Sequence, residues 1–332
     1  MNYRKYSDLR ELINIYISII QSKDFDLIVG ASRNGMIPAY MVALYLNKNC
    51  CDLDSFMNNR ALKTGITRKA KGDLKYPKEA TNILFLEDYI DSSNFLSNSI
   101  KEFSNLEESN VTTLAIYASE KAINEVDIIF ECVSGKISFE WNIFNQQYTE
   151  SSCFDIDGVL CIDPTLEQDD DGEKYKKFLL NAPSLFKPSG KVNYLVTSRL
   201  KKYRSETELW LKKNKIQYGD LIMLDLGSKE ERQKLGINAN HKAEAYVKSE
   251  QHLFFESSRT EAKKIYELTK KPVYCVDTNE MFSNEMMKSK VNHNKELPPK
   301  HSKRSLYIIK ILDKLPKPFY NSLRAVYRFF AY

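Results

Sequence analysis

Phe154-Asp155-Ile156-Asp157-Gly158-Val159-Leu160 is the stretch on which the reading of this chain turns. An apolar lead-in, Ser152-Cys153-Phe154, ends in two aspartates one residue apart, and a glycine follows at once. The lead-in reads as a strand end, and Gly158 lets the chain turn sharply beneath the paired acids. An aspartate-x-aspartate-glycine run also opens calcium-binding loops, but the later ligand positions of such a loop are not filled here. Downstream, Tyr194-Leu195-Val196-Thr197-Ser198 is a strand ending in a hydroxyl. His241-Lys242-Ala243-Glu244 places a lysine on a helix, and Leu253-Phe254-Phe255-Glu256-Ser257-Ser258 is a strand ending in an acid.

These four motifs, in this order, resemble those of the haloacid-dehalogenase (HAD) phosphatases. The resemblance implies that Asp155 is the nucleophile that forms an aspartyl-phosphate, and that Asp157 protonates the leaving oxygen and then activates water. It implies that Thr197 holds a phosphoryl oxygen and Lys242 neutralises charge on the intermediate. Mg²⁺ would then be held by Asp155, Asp157 and Glu256. Glu256 stands where many members have aspartate, and Ser257 replaces a second acid. Residues 163–189 lie where small caps occur, and a short cap leaves a site open to a large substrate. The run Asp169-Asp170-Asp171 within it reads as a solvated loop.

Upstream the same alternation of strand and helix appears. Leu9, Leu12, Ile13, Tyr16, Ile19 and Ile20 have helical spacing over 8–21. Phe25–Gly30 and Ile83–Leu86 are apolar runs expected as buried strands, followed by 111–117 and 128–132. Alternating strands and helices predict open parallel α/β sheets. The run 82–86 leads into Glu87-Asp88-Tyr89-Ile90-Asp91-Ser92-Ser93-Asn94, with a helix expected over 94–104. Acids at the carboxyl end of such a strand sit where open α/β sheets bind ligands, and a hydroxyl-rich stretch before a helix can cradle a phosphate.

This stretch resembles the phosphoribosyl-pyrophosphate (PRPP) motif of type I phosphoribosyltransferases. By that resemblance Glu87 and Asp88 hold the ribose hydroxyls, and Asp91, Ser92, Ser93 and Asn94 hold the 5-phosphate. The family usually has glycine at the positions of Ser93 and Asn94. Ser32-Arg33-Asn34-Gly35, after the strand ending at Gly30, looks like the family's pyrophosphate loop: Arg33 offers donors to a diphosphate, and Gly35 permits close backbone approach. The basic stretch 60–78, with Lys63, Arg68, Lys69 and Lys71, looks like the loop that closes over PRPP. Mg²⁺ would bridge the diphosphate and the ribose hydroxyls, and attack from the opposite face would give a β-ribofuranoside.

The chain of 332 residues is long enough for two domains of roughly 100–200 residues each. The reading places a phosphoribosyltransferase-like domain over 1–149 and a HAD-like Rossmannoid domain over 150–287. A linker with Pro298-Pro299 follows over 288–304, and an amphipathic tail over 305–332. The six cysteines show no metal-ligand spacing and read as reduced core thiols. No signal peptide or membrane-spanning run is expected. Seven Lys and Arg against the single acid Asp313 in 302–332 account for the whole net charge of +5, so the body is near neutral and no nucleic-acid partner is expected. The tail's apolar face of Ile308, Ile311, Leu312 and Leu315, with flanking cations, suits an anionic membrane surface. Packing on the protein or on a second subunit, as in a homodimer, suits it equally.

The order of the two domains resembles bifunctional proteins that install ribofuranose in bacterial surface polysaccharides. The resemblance implies transfer of 5-phosphoribose to a hydroxyl of a lipid-linked glycan, then removal of the 5-phosphate, at the inner face of the cytoplasmic membrane. Glu140 and Trp141 are candidates for the acceptor site, as base and stacking platform; packing in the core is the alternative for the tryptophan. Two other functions fit the same motifs: a nucleobase phosphoribosyltransferase joined to a nucleotidase, and a PRPP-sensing regulator.

Overall fold

The computed structural model describes residues 1–63, 70, 74–91, 110–123, 126–144 and 146–284. Ser92, Ser93 and Asn94, the expected helix over 94–104, Arg68, Lys69 and Lys71, the linker and the tail lie outside the described residues. The chain divides into two compact units. Among the described residues one is Arg4–Ile137; the other gathers Met1–Tyr3 with residues 138–284. The boundary expected from the sequence, 149/150, lies 12 residues beyond the division at 137/138 (149 − 137 = 12).

The chain opens with β1 (Asn2–Arg4), which counts mostly with the second unit, and the first unit then runs α1 (Tyr6–Ser22), β2 (Leu27–Gly30), α2 (Met36–Leu46), β3 (Asn49–Asp52), α3 (Leu53–Met57), β4 (Asn82–Ile90), β5 (Asn110–Ala118) and β6 (Ile128–Cys132). The edge strand β7 (Ile137–Phe139) pairs with β1. The main sheet is parallel throughout, in the order β3-β2-β4-β5-β6. The inner strand β2 is buried along its whole length and β4 over Ile83–Asp88, so their cores read as near-continuous apolar runs, whereas the edge strand β3 alternates in burial. Asp8 accepts a hydrogen bond from the Lys5 backbone N–H at 2.8 Å and so caps α1, which buries Leu9, Leu12, Ile13, Tyr16, Ile19 and Ile20. Tyr16 stacks on Phe130 of β6 at 4.6 Å. Pro38, near the start of α2, is tolerated there because no intrahelical bond is yet required of its nitrogen.

β4 is longer than its apolar core suggests. Tyr89 and Ile90 continue the ladder against Tyr117 and Ala118, so Glu87 and Asp88 lie within the strand rather than beyond it. An alternation with two acids inside it breaks the apolar run, and only the partner strand decides how far the ladder extends.

The second unit continues with α4 (Gln146–Glu150), β8 (Ser152–Phe154), α5 (Glu173–Asn181), β9 (Val192–Leu200), α6 (Arg204–Lys213), β10 (Tyr218–Leu224), α7 (Lys229–Leu235), α8 (Asn238–Lys248), β11 (Leu253–Glu256), α9 (Arg259–Thr269), β12 (Val273–Cys275) and β13 (Glu280–Phe282). The sheet order is β10-β9-β8-β11-β12-β13, parallel except for β13. Strand alternation splits its side chains between two cores. Phe154, Leu195 and Phe255 face Trp210, Leu211, Phe178 and Leu179; Cys153, Val196 and Phe254 face Ala243, Tyr246, Ala262 and Ile265. Helices thus cover both faces of this α/β sheet.

The acidic run in the insert is tied to the protein, contrary to the solvated loop expected. Asp170 caps α5 by accepting from the Gly172 and Tyr175 backbone N–H groups at 2.9 and 3.0 Å. Asp171 accepts from Lys202, Tyr203 and the Lys229 backbone, and Asp169 pairs with Lys229 at 3.0 Å. The bonding cations are distant in sequence, so composition alone could not reveal them. All six cysteines are free, and four of them are buried.

Candidate functional sites

In the first unit the loop after β2 folds back on β4. The Ala31 N–H donates to Leu86 O at 2.9 Å, and the Ser32 hydroxyl donates to Glu87 Oε1 at 2.6 Å while accepting from the Gly35 N–H at 3.0 Å. A Cβ at Gly35 would fall 2.8 Å from Leu86 O and 2.9 Å from Glu87 Oε1. Only glycine permits this approach. The structure therefore brings Ser32 and Gly35 onto Glu87, which the sequence separates by over fifty residues. Arg33 is exposed and Asn34 half-buried on the same loop.

Glu87 and Asp88 are both buried. Burial, then the neighbouring Asp88, pushes the Glu87 carboxyl up to about 8. Its second oxygen, Oε2, is buried without a hydrogen-bond partner. A buried orphan acceptor costs about 1–3 kcal/mol, and it suits a ligand that brings a hydroxyl or a cation. Mg²⁺ arriving with a diphosphate fits that donor. Asp91 is exposed, with its carbonyl accepting from the Ser119 hydroxyl at 2.5 Å.

In the second unit Asp155 follows β8 and Glu256 ends β11, while Thr197 lies inside the neighbouring β9, which runs on to Leu200 rather than ending at the hydroxyl as the sequence suggests. All three are buried. Lys242, on α8, reaches Asp155 Oδ2 at 2.6 Å, Glu256 Oε2 at 2.7 Å and Glu261 Oε2 at 2.7 Å. Three carboxylates on one buried ammonium hold it charged, well above the ordinary lysine range. Burial pushes Asp155 up to about 8, with Glu256 and Asp157 adding to the rise and Lys242 opposing it. Glu256 is raised as well, by its burial.

Asp157 has a different partner. Arg199 holds it through Nη2–Oδ1 at 2.6 Å and Nε–Oδ2 at 3.0 Å. Burial works to raise the Asp157 carboxyl, but the guanidinium outweighs it and the net shift is downward. Thr197 accepts from the Arg199 backbone N–H at 3.3 Å. Gly158 turns at φ +72°, where a Cβ would lie 2.3 Å from the Ser257 hydroxyl oxygen. Gly158→Ala is expected to lower stability by about 1–3 kcal/mol through strain at this turn, read as a fall in the thermal midpoint. An unchanged midpoint would mean that the turn relaxes freely.

Glu261 and Arg199 are absent from the sequence reading. Glu261 had a signal, since Ser258-x-x-Glu261 has the pattern of a capping box ahead of a helix, and the Ser258 hydroxyl accepts from the Glu261 N–H at 3.4 Å. Among the described residues no cluster of three His, Cys, Asp or Glu side chains forms a ready metal cage. Four carboxylates, Asp155, Asp157, Glu256 and Glu261, face the two cations Lys242 and Arg199 there.

Glu140 and Trp141, the acceptor-site candidates, belong to the second unit. Asn279 donates to the Glu140 carboxylate, and Trp141 stacks on Phe139 at 4.6 Å. No helix among the described residues is long and apolar enough to cross a membrane.

No family model matches the chain, and no curated protein matches it. Among solved structures it is similar to a purine phosphoribosyltransferase from Pyrococcus horikoshii Ot3, with 19% identity over 42% of this chain and 92% of that one and a TM-score of 0.29. It is similar to the Helicobacter pylori xanthine-guanine-hypoxanthine phosphoribosyltransferase, with 15% identity over 43% and 93% of the two chains and a TM-score of 0.33. A third similar structure is an orotate phosphoribosyltransferase from Aeropyrum pernix, with 15% identity over 38% and 72% and a TM-score of 0.27.

Proposed function

We propose that this chain carries out two reactions in series: transfer of 5-phosphoribose from PRPP to a glycan hydroxyl, then hydrolysis of the 5-phosphate. One observation carries the reading: each of two units builds its own buried acid site on a parallel sheet, Glu87–Asp88 in one and Asp155–Lys242–Glu256 in the other. Sites of this placement bind ligands at strand ends.

In the first site the partnerless Glu87 oxygen and Asp88 take the ribose hydroxyls, while the loop Ser32–Gly35 takes the diphosphate through its backbone and Arg33. In the second, an Asp155 oxygen bonds to phosphorus as the bond to the ribose O5 breaks, and that oxygen takes a proton from Asp157, which reacts from the fraction protonated against the pull of Arg199. Water then bonds to phosphorus, giving its proton to Asp157, and the bond to Asp155 breaks to release phosphate. Lys242 holds Asp155 in place and offsets charge on the phosphoryl group. Mg²⁺, when held by Asp155, Asp157 and Glu256, would supply further charge neutralisation at the phosphoryl oxygens.

Removing the 5-phosphate serves a pathway that needs plain ribofuranose and draws a reversible transfer forward. A lipid-linked acceptor accords with the basic, amphipathic sequence of 305–332, which would keep the enzyme at the cytoplasmic membrane face. The test is incubation with PRPP, Mg²⁺ and lipid-linked glycan from the source membranes, alongside Asp155→Asn, read by mass spectrometry. Wild type is expected to add a pentose and the variant a pentose phosphate. No mass gain with either would remove the glycan reading and direct attention to nucleobase acceptors.

A further inference from the structure

The two oxygens of the buried Glu87 carboxyl are in opposite states. Oε1 accepts from the Ser32 hydroxyl at 2.6 Å and from the Asp88 backbone N–H at 3.0 Å. Oε2 is buried and has no hydrogen-bond partner. Two donors converging on one oxygen fix the plane of the carboxyl and leave the other oxygen pointing in one direction. A group aimed before its ligand arrives loses less freedom when it binds.

Ser32 supplies the more distant of these donors. Its hydroxyl oxygen accepts from the Gly35 N–H at 3.0 Å, and its carbonyl accepts from the Met36 N–H at 3.1 Å. These are the bonds of a serine turn leading into α2. Such a turn uses only the acceptor side of the hydroxyl. The proton is left over, and it goes to a carboxyl on β4, 55 residues away in sequence. The loop does not need that bond to reach β4, because the Ala31 N–H already donates to Leu86 O at 2.9 Å. Tightening the turn and docking the loop are thus both accounted for without the Ser32–Glu87 bond. What the bond adds is the orientation of Glu87.

We propose, on the reading of the first unit as a PRPP site, that Ser32 is a positioning residue: it belongs to the loop that takes the diphosphate, yet it acts on the ribose side by aiming Glu87 Oε2 at the ribose hydroxyls. The diphosphate is left to Arg33 and to the loop backbone. Without the Ser32 hydroxyl, Oε1 keeps only the Asp88 N–H and the carboxyl is free to turn. The ribose contact then weakens while the diphosphate contact stays.

The experiment is calorimetric titration of the full chain with PRPP and, separately, with inorganic pyrophosphate, both with Mg²⁺. Every protein carries Asp155→Asn, so that the hydrolysis proposed for the second unit does not consume the ligand. Ser32→Ala is expected to weaken PRPP binding on the order of 30-fold and pyrophosphate binding by no more than about threefold. Ser32→Thr restores the hydroxyl and is expected to bind PRPP within about threefold of the chain with Ser32. In a Glu87→Ala background, removing the Ser32 hydroxyl is expected to cost nothing further, because both changes break one interaction. Equal losses on the two ligands would mean that Ser32 holds the diphosphate or only shapes the loop, and would overturn the positioning role. Additive losses with Glu87→Ala would overturn it too. If the chain with Ser32 and Glu87 intact binds neither ligand, the PRPP reading of the first unit fails and this inference fails with it. Should Ser32→Ala not fold, Ser32→Cys, close in volume and a weak donor, carries the comparison. It is then expected to show a smaller loss confined to PRPP.

Discussion

Asp155→Asn is expected to abolish the phosphate-ester hydrolysis proposed for the second unit while making the protein more stable at pH 8. The loss of activity follows from removing the oxygen that would bond to phosphorus, and should exceed about 10⁴-fold. The gain in stability follows from the crowding of carboxylates. Asp155, Glu256 and Glu261 share one ammonium within 2.6–2.7 Å, and burial outweighs that attraction enough to raise Asp155 to about 8. A carboxyl whose folded pKa lies above its unfolded value of about 4 imposes a penalty that is absent below pH 4, grows up to the folded value and is constant beyond it. Asparagine removes this penalty and leaves Lys242 with two partners. In metal-free buffer, urea unfolding should show no difference near pH 4 and a gain on the order of 2 kcal/mol at pH 8. A variant less stable than wild type at pH 8 would mean that the Asp155–Lys242 pair is net stabilising.

Lys242→Met should have the opposite sign and the larger effect on the fold. The methionine fills most of the volume, but Asp155 and Glu256 are then buried with no cation and Glu261 loses its ion pair. Breaking a buried pair from one side costs about 3–5 kcal/mol, a large part of the stability of a domain. The loss should be greatest at neutral and alkaline pH and shrink as the pH falls towards 5, because the raised carboxyls take up protons and no longer need the ammonium. Circular dichroism melts from pH 5 to 8 read this directly. A loss independent of pH would point to packing at α8 instead.

The four downstream motifs were legible because each is local. The candidate acids stand where a strand stops, Asp155 just after β8 and Glu256 at the end of β11, whereas Thr197 lies inside β9 and Lys242 on α8. The Ser32–Gly35 loop was legible for the same reason. What was hidden was the pairing of side chains across the fold. Arg199 reads in sequence as a charged residue near a strand end, and its meeting with Asp157 depends on β9 lying beside β8. Glu261 could be read as a helix cap but not as a third partner of Lys242. The acids of the insert looked solvated because Lys202 and Lys229, which hold them, come from α7 and from the turn before α6.

The sequence by itself determined which residues could do chemistry and which strands would carry them, since apolar periodicity and short motifs are set by covalent neighbours. Only the tertiary structure decided their electrostatic state. Glu87 is raised by its burial and by Asp88, against the Ser32 hydroxyl that the loop after β2 brings to it, and Asp155 and Asp157, chemically identical and nearly adjacent, are shifted in opposite directions. The cause is the choice of cation and the depth of burial, and both are properties of chain segments that meet only when the sheet has formed.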